Sequence, residues 1–300
     1  MQQFELHNDY LSATFLDYGA ILHELWVTNT KGESINIIQG LASPDTYLND
    51  SWCHGAVVGR YAGRLTESFM LNNKKYLLDH TDGVLLHSGE TGWHRQYWQK
   101  KSYAETELTL QHTCLNGNGG FPGTVDAQIT YRLEEKALVL DYQATTDAPT
   151  HINLTNHAYF SLNPKGKLDE QHLQIEATHY LELAQNLVPT GVLLKTDQTA
   201  MDFSQPRPLG TQRLDDYFVL NSKTKTAAKL YSPQTGISMH IQTDQPGLVV
   251  FTPTQREAIC FETQKFSNTP NLPHFPSTYV APKQPYLHHT RFEFSGIAAR

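Results

Sequence analysis

Charge is scarce in this chain. Of its 300 residues only 18% are Asp, Glu, Lys or Arg, below the quarter usual for soluble proteins. The balance is −7, from 23 basic and 30 acidic side chains. No Lys/Arg cluster interrupts that trend, which argues against nucleic acid as a partner, since phosphates need a concentrated basic footprint. Cysteine is scarcer still. Cys53, Cys114 and Cys260 are odd in number and scattered, so they form neither a metal-ligand spacing nor a disulfide framework, a usage that suits a reducing cytosol. No run of about 18 apolar residues occurs, and residues 1–6 lack the basic and apolar regions of a signal peptide, so a soluble, cytoplasmic protein with no membrane partner is expected. Linkers rich in Pro, Gly or Ser, low-complexity tracts and internal repeats are also missing, and the expectation is one domain over residues 1–300. Fifteen histidines invite a metal. Yet no His-Glu-x-x-His, Cys-x-x-Cys, Gly-x-Gly-x-x-Gly, P-loop or Gly-x-Ser-x-Gly is present, and His288-His289, being adjacent, would face opposite ways in a strand. The expectation is chemistry without cofactor or metal.

What the chain does have is hydrophobic mass, 39% with 11% aromatic, and short alternating runs between turn residues. Ile129-Thr130-Tyr131-Arg132-Leu133 and Leu138-Val139-Leu140-Asp141-Tyr142 flank Glu134-Glu135-Lys136-Ala137 with the spacing of a hairpin. Ile237, Met239 and Ile241 alternate with Ser238, His240 and Gln242, and Gln245-Pro246-Gly247 then turns into Leu248-Val249-Val250-Phe251. Near the end Tyr286, His288, Thr290, Phe292 and Phe294 hold one face of a run, and Leu287, His289, Arg291 and Glu293 the other. Helical signals are weak: Ser43-Pro44-Asp45 resembles an N-cap followed by proline, with at most a turn or two to follow. The pattern predicts an all-β protein, large and mostly antiparallel.

Two further runs each carry an ionisable group on the face opposite their bulky apolar residues. In Ile152-Asn153-Leu154-Thr155-Asn156-His157-Ala158-Tyr159-Phe160, alternation puts Ile152, Leu154 and Phe160 on one face and Thr155, His157 and Tyr159 on the other. In Ala258-Ile259-Cys260-Phe261-Glu262-Thr263-Gln264, Glu262 shares its face with Ala258 and Cys260, opposite Ile259 and Phe261. Each ionisable residue thus points away from its bulky apolar face, as a cleft wall requires. A lone His or Glu on a polar strand face is also the commonplace solvated residue.

Both segments, Thr155-Asn156-His157-Ala158-Tyr159-Phe160 and Phe261-Glu262-Thr263-Gln264, resemble signatures of the aldose 1-epimerases, or galactose mutarotases. Further similar segments are Val57-Val58-Gly59-Arg60-Tyr61-Ala62-Gly63-Arg64-Leu65, Leu85-Leu86-His87-Ser88-Gly89, Phe121-Pro122-Gly123-Thr124-Val125, Leu214-Asp215-Asp216-Tyr217-Phe218 and Phe275-Pro276-Ser277-Thr278. The resemblance runs from about residue 55 to residue 280. It implies the family's β-sandwich and a free aldohexose, such as galactose or glucose, as small-molecule substrate whose α and β anomers are interconverted. It also implies Glu262 as base and His157 as acid, with Arg64, His87, Asp215 and Tyr159 as substrate contacts; Asp216 competes with Asp215 by one residue. The residue types suit the chemistry. Opening a hemiacetal takes a proton from one oxygen and gives one to another, and reference pKa values of ~4.3 and ~6.5 would place the acid limb of the rate on Glu262 and the basic limb on His157. Two positions depart from the family: Gly63 stands where Asn is usual and Val249 where Gln is frequent, so two polar sugar contacts are expected to be missing. Gly63→Asn should restore one, provided residue 63 does not need positive φ. A sugar-binding module without catalysis, or a relative acting on a disaccharide or hexose 6-phosphate, are the alternatives. The sequence does not distinguish monomer from homodimer.

Overall fold

The computed structural model describes residues 1–163, 168–221, 226–255 and 257–300. Strands dominate, every pairing between them is antiparallel, and helix among the described residues is confined to short 3-10 segments. Pro44–Asn49, behind Ser43, is one of these. None of the described helices is long and apolar enough to cross a membrane. The expected hairpin forms: Val125–Glu134 pairs with Ala137–Thr146, Glu134 opposite Ala137, leaving Glu135-Lys136 as a two-residue turn. Glu135 takes a positive φ of 47°, as such tight turns demand. These two are central strands of a nine-stranded sheet that also holds Glu107–Cys114, Tyr286–Ser295 and Ser238–Thr243. Gln3–His7, Leu11–Leu16 and Leu22–Asn29 form a further sheet to which Ile297–Ala298 adds, so the first and last strands of the chain share it.

A six-stranded sheet orders Tyr159–Phe160, Ile259–Gln264, Gly247–Phe251, Asp215–Leu220, Ala177–Leu183 and Pro189–Lys195. Its register decides which side chains meet. Val250 pairs with Phe261 and Asp216, and Leu248 with Phe218, and these lie on one face. Phe160 reaches from that face to Phe292 of the nine-stranded sheet, ring centroids 4.9 Å apart, and also lies near Phe261 at 6.5 Å. Phe160, Phe218, Leu248, Val250, Ile259 and Phe261 all belong to the main buried core. Each such side chain contributes about 1.5–3 kcal/mol by leaving water, which is why this face packs sheet on sheet. The other face presents Asp215, Tyr217, Val249, Phe251, Cys260 and Glu262.

One expected strand is not continuous. Within residues 152–160 only Thr155–Asn156 and Tyr159–Phe160 are strand, the first pairing with Val57–Val58 and the second with Ile259–Gln264. The chain changes partners at His157-Ala158, a crossing that alternation alone does not reveal.

Candidate active site

On the open face of the six-stranded sheet lies a cavity of about 330 Å³, within the range of small-ligand sites. Its floor is Glu262, Val249, Tyr217, Asp215 and Phe251, the outward residues of three neighbouring strands. One wall comes from a separate two-stranded ladder, Arg64–Thr66 with Val84–Leu86. There Arg64 pairs with Leu86, which sets His87 beside Gly63: His87 N–H donates to the Gly63 carbonyl at 3.0 Å, and Gly63 N–H donates to His87 Nδ1 at 3.2 Å. An accepting Nδ1 fixes the neutral tautomer, so Nε2 carries the hydrogen and is a donor.

His157 and Glu262 meet because of register. Tyr159 is opposite Cys260, and counting two residues onward in an antiparallel pair brings His157 opposite Glu262. His157 Nε2 lies 3.5 Å from Glu262 Oε1, with side chains 7% and 3% exposed. The backbone of His157 is clamped at both ends, its N–H donating to Ala56 and its carbonyl accepting from Gly55, each at 2.9 Å. Two asparagines that the sequence did not single out tie the surrounding segments. Asn156 Nδ2 donates to the Gly55 carbonyl at 2.8 Å. Asn153 donates to the carbonyls of Ala62 and Lys265 and accepts from Lys265 N–H at 2.9 Å, joining the arginine loop to the end of the Glu262 strand.

Burial reverses the ordinary order of the pair's pKa values. Loss of water, with Asp215 adding to it, pushes Glu262 up to about 8. Loss of water pushes His157 down to about 4. His87, half-buried at the wall, is also held well below its usual value, first by desolvation and then by the neighbouring His157. Between about 4 and about 8 the pair therefore holds one ionisable proton, the number required by a carboxylate facing an imidazolium. The order differs from that of the solvated groups: as pH rises His157 loses its proton before Glu262 does. Glu262 Oε2 has no hydrogen-bond partner among the described residues, an acceptor in want of a hydroxyl.

The other residues around the site sort plainly. Arg64 Nη2 lies 3.1 Å from Asp215 Oδ2, and both line the cavity. Asp216 sits on the opposite face of its strand, its carboxyl accepting from Asp215 N–H and pushed up to about 6 by burial. Arg60 is neither at the surface nor in the cavity; it is 1% exposed and donates to the carbonyls of Pro122, Cys114 and Leu115. Tyr159 stacks behind His157, centroids 5.2 Å apart, and its hydroxyl donates to the Trp52 carbonyl at 2.9 Å, so it stands outside the cavity lining. Trp93 and Trp98 belong to the core.

Gly63 does need positive φ, at +80°, and a Cβ there would fall 1.9 Å from Ser267 Oγ. Ser267, which lines the cavity, fills the space an Asn would take, so the expected gain from Gly63→Asn is withdrawn. Val249 is an apolar patch of the floor. His87, His157 and Glu262 also present ligand atoms within 4.8 Å of one another, a spacing a small cation could bridge. The signals that could have found Trp52 and Ser267 are non-local: each matters through a partner more than a hundred residues away.

Comparison with known proteins follows the same lines. A family model described as aldose 1-epimerase matches residues 2–293. Galactose mutarotases of Sus scrofa and Mus musculus are 30% and 29% identical, each covering 98% of this chain and 94% of the relative. An aldose epimerase homologue from C. elegans superimposes with a TM-score of 0.95 at 25% identity, covering 99% of both chains.

Proposed function

We propose a reaction for this chain, which belongs to the aldose 1-epimerase family: interconversion of the α and β anomers of a free aldohexose, galactose or glucose, by acid–base ring opening and closure. The observation that carries it is the 3.5 Å approach of His157 Nε2 and Glu262 Oε1 at the wall of a sugar-sized cavity. The anomeric hydroxyl oxygen and the ring oxygen sit on one carbon, so two groups this close can address both. Glu262 as carboxylate takes the proton of the anomeric hydroxyl while His157 as imidazolium protonates the ring oxygen, breaking the bond from the ring oxygen to the anomeric carbon. Rotation about the neighbouring carbon–carbon bond turns the other face of the aldehyde to the ring hydroxyl. The steps then run backwards, restoring both groups, so no other reagent is consumed.

Burial favours the uncharged arrangement, carboxylic acid and imidazole. Sugar hydroxyls donating to Glu262 stabilise its ionised form and move the shared proton to His157 without any exchange with solvent. His87 Nε2–H donates to a sugar oxygen, and Arg64, oriented by Asp215, holds hydroxyls farther along the ring. Polarimetry of freshly dissolved α-D-glucose and α-D-galactose is the test. Accelerated mutarotation, unchanged by exhaustive chelation, is expected; relaxation at the buffer rate, or loss on chelation restored by added metal, contradicts the reading.

A further inference from the structure

His157 works without the support that a catalytic imidazole ordinarily has on its second nitrogen. That support is a hydrogen bond, which fixes the tautomer and the plane of the ring. His157 turns Nε2 toward Glu262, and its buried Nδ1 has no hydrogen-bond partner on any other described residue. The plane of the ring is therefore set by packing, and the packing is aromatic. Tyr159 stacks on it, centroids 5.2 Å apart and planes 27° apart. His87 at 5.5 Å and Phe251 at 6.0 Å meet it edge-on, at 84° and 65°.

The column continues to a second histidine. His54 stacks on the same Tyr159 ring, centroids 4.2 Å apart and planes 23° apart. His54 is in turn held by Asp50. Asp50 Oδ1 accepts from His54 Nδ1 at 3.1 Å and from Trp52 N–H at 2.8 Å, and Oδ2 accepts from His54 N–H at 2.7 Å. Desolvation raises the Asp50 carboxyl, but the His54 ring and the two backbone N–H groups outweigh it and hold the group below its usual value. The ionised carboxylate only accepts, so His54 Nδ1 carries the hydrogen and the ring cannot turn without breaking that bond.

Neither His54 nor Asp50 lines the cavity. The loop they shape nevertheless grips the catalytic segment from the backbone side. Gly55, next to His54, donates its N–H to the His157 carbonyl and accepts from Asn156 Nδ2.

We propose that His54, oriented by Asp50, is a positioning residue for His157 and acts through the ring of Tyr159. The column Asp50–His54–Tyr159 supplies the orientation that a hydrogen bond on Nδ1 does not, and keeps Nε2 aimed at the reacting oxygens. This rests on the anomer-interconverting reading of the cavity.

Polarimetry over a range of α-D-glucose concentrations separates kcat from KM, with circular dichroism as the check on folding. His54→Leu keeps the bulk but removes the flat ring, and kcat should fall about tenfold at an unchanged KM, as a displaced proton donor costs at least that factor. His54→Phe gives Tyr159 a ring again and should return kcat to near the wild-type value. Asp50→Asn leaves the His54 ring but weakens its hold, and should lower kcat by about threefold at an unchanged KM. A wild-type kcat in folded His54→Leu overturns the proposal. So does a loss carried wholly by KM, or a His54→Phe variant as slow as His54→Leu. Should His54→Leu fail to fold, a wild-type kcat in Asp50→Asn, or a His54→Phe variant slowed tenfold or more, overturns it. Each of these outcomes leaves the mutarotase reading standing. Wild-type protein that does not accelerate mutarotation overturns that reading, and the positioning role with it.

Discussion

The two faces of the six-stranded sheet hold buried polar groups in opposite conditions. On the packed face Thr263 lies 3.2 Å from His288 Nε2 and 2.7 Å from Thr290 Oγ1, while His288 is stacked on Tyr142 at 4.5 Å. Desolvation holds His288 down to about 3, and its Nδ1 still finds the Tyr286 hydroxyl at 3.4 Å. It is a neutral histidine with partners on both ring nitrogens, a structural member of a satisfied network. His157 on the open face is just as buried, yet its neighbour is a carboxyl that is itself pushed the wrong way and has an oxygen without a partner. Depressed histidines are thus not diagnostic by themselves. A depressed histidine facing a raised carboxyl across a cavity is, because there the two together hold one movable proton.

The sharpest way to separate the faces is to cut each in the same strand. Glu262→Gln should lower kcat by about 10²–10⁴-fold while leaving circular dichroism unchanged, since the amide keeps the shape but accepts no proton. His157→Asn should cost a similar factor, and the double variant should be little worse than either single, as members of one acid–base unit are not additive. Retention of a tenth of wild-type activity by Glu262→Gln would remove the residue from the base's role. One residue earlier the outcome inverts: Phe261→Ala should lose about 3–5 kcal/mol in urea unfolding, with kcat of the remaining folded fraction near wild type.

A smaller effect is expected at the wall. Gly63→Asn puts a Cβ into Ser267 at a backbone angle that Asn adopts less readily than Gly, so a stability loss of about 1–3 kcal/mol should appear in thermal unfolding. Ser267→Gly in the same chain should recover most of it. A fully stable single variant would mean that Ser267 yields freely.

A last effect is on stability against pH. Glu262 is raised when folded, so its contribution to stability is fully present below the unfolded carboxyl's pKa and is lost as pH rises toward about 8. Glu262→Gln has no such group. Its unfolding temperature relative to wild type should therefore climb between pH 5 and pH 8, and a constant difference would show that the carboxyl is not raised.

Much of this was legible in the chain itself. Alternation within a strand depends on the residues of that strand alone, which is why the faces of Glu262 and the hairpin residues could be read directly, whereas the choice between Asp215 and Asp216 stayed open. Arg60, Gly63 and Tyr159 could not be. Their surroundings are set by Cys114, Ser267 and Trp52, partners far away in sequence, and a motif containing Arg60 looks the same whether its guanidinium meets sugar or buried carbonyls. Nor could the order of titration, because reference pKa values describe solvated groups and both members of the pair are dry.

That order is open to one direct measurement, the pH dependence of kcat/KM for anomer interconversion by the wild-type protein, after subtraction of the buffer rate. This quantity reports the free enzyme. A bell with limbs near 4 and 8, whose alkaline limb is the carboxyl of Glu262 by infrared difference spectroscopy, is the expected result. A rate that falls away through the ordinary histidine range with the carboxyl already ionised would show that His157 and Glu262 titrate as solvated residues, and that the site is not the dry proton-sharing pair described above.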